Sequence, residues 1–529
     1  MKYKVCILAA GVGSRVGDFS DYINKAILPV NSKAAISYII EKFPEDIEIV
    51  IAVGHKKETV INYLSLAYPE RKFTYVEIDK YIGPGAGPGY SLLQCREYLQ
   101  SPFVFFAADT IVIEDIPVPD HNWFGIAPVK DTENYCTVKI KNNLVYRLDD
   151  KIKTSNRFAF IGLAGICDYN DFFSSLEKNK EIIGGEIQVS NGFKKLIEKK
   201  LVPTGFTWFD TGTLKNYIET DKNFSGGEKK FDFGKSNEFL YFVNDRVIKF
   251  FANEKIAEGR FKRASTVLKG LCPDIEGMKG NFYSYKKVDG QTLYSVLDNK
   301  TLCVFLQWAK LNLWKDAKIS DEEKRDFYDK CHKFYHEKTK KRLNMFYEKK
   351  GTENECENIN GVSVPPLKKL LSSVDWSYVS KGTPSNFHGD LQFDNVLVAK
   401  DFATSKPKFV LLDWRQDFAG LTRVGDLYYD LAKLYGGMTM SYPLIKEGMF
   451  SFESNELDAH YNFFVKNNLV QAKDEYELFL KENGFDIRKV KIITALIFLN
   501  MSPLHHEPFD SLLYYLGRDM LYKSLNILD

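Results

Sequence analysis

Lys4-Val5-Cys6-Ile7-Leu8-Ala9-Ala10-Gly11-Val12-Gly13-Ser14-Arg15 is the stretch on which the fold turns. The run from Lys4 to Ala10 reads as a buried β-strand, and glycines follow at once, so the strand empties into a tight turn. A helix is expected from Ala34 to Lys42, a second buried strand from Ile47 to Val53 and a third from Phe103 to Ala107, ending at Asp109. Strands alternating with helices predict an α/β sheet with substantial parallel content. Ligands on such sheets sit beyond the carboxyl ends of the strands, where both the glycine turn and Asp109 fall.

A chain of 529 residues is too long for one core, so two domains are expected. With 44% apolar and 27% charged residues and a formal net charge of +2, nothing points to nucleic acid or a membrane surface as a partner. Eight cysteines without CxxC spacing suit reduced thiols and a cytoplasmic location. The first residues lack the long apolar core of a signal peptide, and no apolar run has membrane-spanning length, so no membrane insertion is expected. A homo-oligomer is compatible with this composition, which does not specify one. Around Asn223-Phe224-Ser225-Gly226-Gly227-Glu228-Lys229-Lys230 the pattern becomes polar and glycine-bearing. The boundary is placed there: a first domain over 1–222, a linker over 223–236 and a second domain over 237–529.

In the first domain Gly11 and Gly13 let backbone N–H groups approach a triphosphate without a Cβ in the way. Arg15 and Lys25 add positive charge where negative charge grows when an α-phosphorus is attacked. Asp109 and Asp210, the latter in Trp208-Phe209-Asp210-Thr211-Gly212-Thr213, form a carboxylate pair suited to Mg²⁺. These residues resemble the sugar-phosphate nucleotidyltransferases and their phosphocholine cytidylyltransferase relatives, across roughly residues 1 to 222. The resemblance implies a Rossmann-like sheet and attack by a phosphate monoester on an NTP, releasing pyrophosphate. It also implies that Leu8 to Arg15, with Leu8, Ala10, Gly11 and Gly13, forms the nucleotide loop and that Lys25 binds phosphate. Gly83-Pro84-Gly85-Ala86-Gly87 would touch the base through Gly85, Ala86 and Gly87, and Gly185-Glu186-Ile187 would place Glu186 near the acceptor. A second lysine of that family corresponds to Lys151 or Lys153. Two departures stand out: Asn24 precedes Lys25 where the family carries proline, and Ala107-Ala108 precede Asp109 where it carries glycine.

The second domain opens with strands expected at Phe239 to Val243 and Arg246 to Phe251 around the turn Asn244-Asp245, then a helix from Glu254 to Lys269 and a strand from Phe282 to Val288. Helices follow, notably Leu302 to Trp314 and Asp321 to Glu348. His388-Gly389-Asp390-Leu391-Gln392-Phe393-Asp394-Asn395 carries the spacing H-x-D-x-x-x-x-N, in which an aspartate accepts a hydroxyl proton and an asparagine holds Mg²⁺. Asp413, after the apolar strand ending at Leu412, is the second candidate metal ligand. Lys249 sits on a strand, suited to neutralising ATP phosphates, with Glu258 as its expected partner and Glu254 next in line. Together with Gly425-Asp426-Leu427-Tyr428-Tyr429-Asp430-Leu431-Ala432 these residues resemble the aminoglycoside phosphotransferase and choline kinase family. That implies a protein-kinase-like (α+β) two-lobed fold and ATP-dependent phosphorylation of a small molecule's hydroxyl. Asp426 and Asp430 read as structural, bonding the catalytic loop from a helix start.

Phosphorylating a hydroxyl makes a phosphate monoester, which is the nucleophile a nucleotidyltransferase needs. The expectation is therefore a bifunctional enzyme: a kinase making X-phosphate from ATP, and a transferase joining it to a pyrimidine NTP (CTP, UTP or dTTP) to give an activated sugar for surface glycan synthesis. A choline-type X, giving CDP-choline, is the alternative, because Trp308, Trp314, Trp376, Trp414, Tyr428 and Tyr429 offer aromatic faces for a quaternary ammonium. A third reading leaves one domain catalytically inactive and regulatory.

Overall fold

Strands Lys4–Ala9, Ile49–Val53, Phe73–Glu77 and Phe103–Ala107 run parallel, with Lys4–Ala9 between Ile49–Val53 and Phe103–Ala107 and with Phe73–Glu77 beyond Ile49–Val53. The protein is seen in a computed structural model that describes residues 2–179, 181–226, 237–351, 355–400 and 407–526. Val5 stands opposite Ile49 on one side and Val104 on the other. Successive strands grow outward in one direction from Lys4–Ala9 and then return to its other edge at Phe103–Ala107. That reversal opens a crevice at the carboxyl ends of these two strands. Antiparallel pairing continues the sheet from Phe158–Ile166, with Leu163 opposite Phe106, and Val202–Gly205 adds in parallel to Trp123–Pro128, giving nine strands among the described residues.

The period of two along Lys4–Ala9 separates two cores. Val5, Ile7 and Ala9 pack with Val104 and Phe106, while Cys6, Leu8 and Ala10 pack with Phe103 and Phe105. A strand covered on both faces has no polar position to spare, which is why it reads as an unbroken apolar run. Burying each Val or Ile side chain contributes about 1.5–3 kcal/mol, so the sheet is the rigid platform for what its ends carry.

The hairpin Glu238–Val243 and Arg246–Phe251 closes with Val243 opposite Arg246, and Asn244 has φ 52°, the left-handed backbone a two-residue turn requires. Although assigned above to the second domain, it packs on the first core. The Tyr241 ring lies 4.8 Å from that of Tyr63, and its hydroxyl donates to the Ile27 carbonyl at 2.9 Å. Accordingly, of the described residues, 2–226, 237–254 and 277–284 form one compact unit, and 255–276 with 285–526 form a second.

The second unit is mainly helical, built around Leu427–Thr439 and Ile487–Met501, whose residues are buried along most of their length. At Gly436 the two helices are in van der Waals contact, and a Cβ there would lie an ordinary 3.6 Å from Thr494 and Phe498. The long helix expected over Asp321 to Glu348 is interrupted. Asp321–His332 and Lys338–Lys350 are joined by a π-helical turn at Lys333–Glu337, which buries Phe334 and Tyr335 and aims the Tyr335 hydroxyl at Asp426 at 2.7 Å. The tryptophans of this unit mostly serve packing: Trp414 is fully buried with Nε1 on the Arg260 carbonyl, and Trp308 packs on Phe305 and Phe409. Among the described residues no helix is long and apolar enough to cross a membrane.

Near the crevice the Phe158–Ile166 strand bulges between Phe160 and Ala164. Gly162 has φ 76° there, and a Cβ would stand 2.7 Å from that of Ala107. Left-handed strain adds to overpacking, so Gly162→Ala should destabilise the first unit by about 2–4 kcal/mol. Urea unfolding followed by tryptophan fluorescence would check this, and an unchanged midpoint would refute it.

Candidate active sites

Asn24, fully buried, is the joint of the first site. Its Nδ2 donates to the carbonyls of Ala9 at 2.9 Å and His55 at 2.7 Å, and its Oδ1 accepts from the Ala26 amide at 2.9 Å, capping the short turn Lys25–Ile27. The end of the first strand and the turn that carries Lys25 are thus held by one side chain. Proline, with no side-chain amide, would make none of these bonds. Gly13 completes the arrangement: its φ is 73° and a Cβ would stand 3.1 Å from that of Lys25.

Lys25 Nζ lies 2.6 Å from Asp109 Oδ2, both partly buried. Burial pushes the Asp109 carboxyl up, but the Lys25 ammonium, with help from Arg15, outweighs it and holds the group below its ordinary value. Asp210 is drawn to the same place by strand pairing, opposite Thr110, and the Thr211 amide donates to the Asp109 carbonyl at 3.0 Å. Its carboxylate accepts from the Gly212 amide at 2.7 Å and Asn216 Nδ2 at 2.6 Å. Burial and the neighbouring Asp109 charge nevertheless raise its pKa. A Cβ at Gly212 would stand 3.0 Å from both Asp109 Oδ2 and Asp210 Oδ1, so these oxygens are no farther apart than twice that distance and face one small cradle. Two carboxylate oxygens in such a cradle fit a hard divalent cation that completes its shell with phosphate oxygens.

The glycine loop and the Glu186 segment meet. The Ile187 amide donates to the Ala86 carbonyl at 2.8 Å, and a Cβ on Gly87 would stand 2.7 Å from that of Glu186. Gly83, Gly85 and Gly87 have φ of 89°, 80° and 122°, backbone open to glycine. Lys151 Nζ lies 3.7 Å from Glu186 Oε2, whereas Lys153 is exposed. Leu8 and Ala10 are buried at the strand end, and Arg15 is exposed beyond it.

In the second unit, the segments around Asp390 and Asp413 are stitched together. His388 Nε2 donates to the Leu412 carbonyl at 2.7 Å, the Leu412 amide to the Asn395 carbonyl at 2.8 Å and the Arg415 amide to the His388 carbonyl at 3.0 Å. Asn395 Nδ2 donates to the Asp390 carbonyl at 2.8 Å, which ties the two ends of this loop together. Asp413 has φ 54°, a strained conformation for a residue other than glycine, and pairs with Arg260 at 3.3 Å. Asp430 accepts the amides of His388 and Gly389, each at 2.7 Å, and burial pushes its pKa to about 6 against that pull. Asp426 caps its helix and accepts the Thr383 amide at 2.8 Å. Lys249 lies buried on Arg246–Phe251 and Glu258 is exposed on the helix Glu254–Ser265, in different compact units.

One partner escapes the sequence reading. Lys433 Nζ sits 2.8 Å from Asp390 Oδ1 and overcomes the effect of burial, holding that carboxyl well below the usual range. Lys433 is one turn beyond Tyr429 on a helix that reads as apolar, so spacing carried no signal for it. Arg263, fully buried, donates to the carbonyls of Phe387, His388 and Arg415, bracing the same loops.

The amino-terminal part thus presents a parallel-strand crevice carrying a glycine turn, a lysine and two convergent carboxylates. Residues 5–116 match the family of MobA-like NTP transferase domains. The bifunctional protein GlmU of Methanococcus vannielii is 30% identical over 202 residues, covering 36% of this chain and 47% of that protein. GlmU of Methanocaldococcus jannaschii is 27% identical over 227 residues, covering 41% and 53%. The chain therefore spans about half the length of the curated relatives it matches. Among solved structures, UDP-glucose pyrophosphorylase complexed with UDP-glucose aligns at a TM-score of 0.38 and 20% identity, over 43% of this chain and 99% of that one. CTP:phosphocholine cytidylyltransferase from Streptococcus pneumoniae aligns at 0.35 and 20%, over 42% and 99%.

Removing the side-chain amide in Asn24→Ala leaves two carbonyls and one amide unpaired, and should cost about 2–4 kcal/mol in urea unfolding with an unchanged slope. His388 is fully buried, and desolvation lowers its pKa from 6.5 to about 4. The unfolded chain then takes up this proton before the folded one does, so stability from this group, roughly 3 kcal/mol, is present above pH 6.5 and lost as pH falls toward 4. NMR of the imidazole should show no titration between pH 5.5 and 8, and a midpoint near 6.5 would contradict the assignment.

Proposed function

We propose that the chain is a bifunctional enzyme that makes a phosphate monoester and then activates it with a nucleotide. The observation that carries the first activity is the convergence of Asp109 and Asp210 on Gly212 beside Lys25. In this reading the amides of Gly11 and Gly13 bind triphosphate oxygens, and Lys25 and Arg15 balance the charge that builds at the α-phosphorus. A phosphate oxygen of the acceptor attacks that phosphorus, the bond to the bridging oxygen breaks, and pyrophosphate leaves. Glu186 and Lys151, beside the glycine loop, hold the acceptor. Mg²⁺ on Asp109 and Asp210 would neutralise charge on the phosphates.

The second activity rests on the stitched loops at His388–Asn395 and Leu412–Arg415. Asp390 orients the acceptor hydroxyl and takes its proton as the hydroxyl oxygen attacks the γ-phosphorus of ATP, the bond to the β-bridging oxygen breaks and ADP departs. Lys433 keeps Asp390 ionised, and neutral His388 locks the loop to the Leu412 carbonyl. Asn395 and Asp413 would hold Mg²⁺, which screens the phosphate charges. Chemistry orders the two steps, since the kinase product is the transferase substrate. An NDP-linked sugar from CTP, UTP or dTTP is the product favoured here, destined for surface glycans.

Asp390→Asn should lower ATP-dependent phosphorylation by about 10³-fold or more while NTP transfer to a supplied sugar phosphate stays within about 3-fold. Lys25→Ala should do the reverse, read as pyrophosphate release. If pyrophosphate forms only on alcohols that never become phosphorylated, the two-step scheme fails.

A further inference from the structure

The second unit gathers cations beside Asp390 that phosphoryl transfer by that aspartate does not require. Lys338 Nζ lies over the Phe334 ring at 4.1 Å and 6.0 Å from the Tyr429 centroid, and the Arg415 guanidinium stands 5.4 Å from the centroid of Phe334. Lys433, one turn along from Tyr429, holds Asp390. Arg342, one turn along from Lys338, makes a long contact from Nη1 to Met345 Sδ at 3.9 Å. Among the described residues neither Lys338, Arg342 nor Arg415 forms an ion pair, and the Asp390 carboxylate is taken by Lys433.

This gathering is built into the fold. Arg415 crosses Gly389 so closely that a Cβ there would stand 2.8–2.9 Å from its aliphatic stem. Lys338 follows directly on the π-helical turn, whose Phe334 its ammonium covers. Burial and the neighbouring charges of Arg415, Lys433 and Arg342 push the Lys338 pKa well down, the unfavourable crowding that a bound anion relieves. The Phe334 ring already carries Lys338 and Arg415, and Lys338 stands 6.0 Å from the Tyr429 centroid, so a quaternary ammonium there would meet like charge.

Resting on the kinase reading above, we propose that the hydroxyl compound phosphorylated in this unit is itself an anion, carrying a carboxylate or a phosphate that Lys338, Arg342 and Arg415 hold while Asp390 orients its hydroxyl. Choline and other amino alcohols are disfavoured by like charge.

The test gives the full-length protein ATP and Mg²⁺ with hydroxy acids and sugar acids, sugar and polyol phosphates, the matching neutral sugars and polyols, and choline. The expected result is a kcat/KM for an anionic acceptor at least about 100-fold above its neutral counterpart. The carboxylate and phosphate arms tell which anion is used. Lys338→Gln and Arg415→Gln should each raise the acceptor KM by about 10-fold or more and leave the ATP KM within about 2-fold, with Lys338→Arg restoring most of the loss. A preferred neutral or cationic acceptor overturns the inference and leaves the kinase reading standing. So does a rise in the ATP KM alone, which would assign the cations to the donor. Phosphorylation of no acceptor of any charge overturns the kinase reading and the inference with it. Where thermal melting shows a variant unfolded, the charge preference of the unaltered protein decides.

Discussion

A partly buried carboxylate is costly unless it is balanced, and in both candidate sites a lysine balances it. Asp109 is met by Lys25 at 2.6 Å and Asp390 by Lys433 at 2.8 Å. Removing charge from water costs several kcal/mol per ion unless geometry and further hydrogen bonds compensate. Each pair therefore dictates its surroundings: Asn24 fixes the turn that carries Lys25, and Gln392 adds a bond to Asp390 at 3.0 Å.

Around those pairs, fully or largely buried acids do structural work by accepting backbone amides. Asp430 takes two amides from the loop that bears Asp390, and Asp426 takes the Thr383 amide and the Tyr335 hydroxyl. Such acceptors hold loop backbones more tightly than packing would, because an unpaired buried amide is costly. In the second unit the loop that bears Asp390 is thus held by hydrogen bonds that buried acids accept.

Much of this was legible in the residues. Apolar runs ending in glycine or aspartate located the central strands to within two residues, since a strand covered on both faces leaves no other pattern. Asn244-Asp245 located the hairpin turn because few residues tolerate its backbone. Less legible was where that hairpin packs, because Tyr241 against Tyr63 is a pairing of residues far apart in the chain. The π-helical turn at Lys333–Glu337 was also invisible, since one extra residue per turn scarcely alters an amphipathic pattern.

By itself the sequence determined which residues have chemistry to offer and in which local setting: glycines in the turn after the first strand, aspartates at strand ends, an aspartate and an asparagine five residues apart. Tertiary structure alone decided which charges face one another. Lys433 reaches Asp390, Asp210 reaches Asp109, and Lys338 and Arg415 converge on Phe334, because electrostatic partnership depends on distance in space, and spacing along the chain reports it only within a helix or a turn.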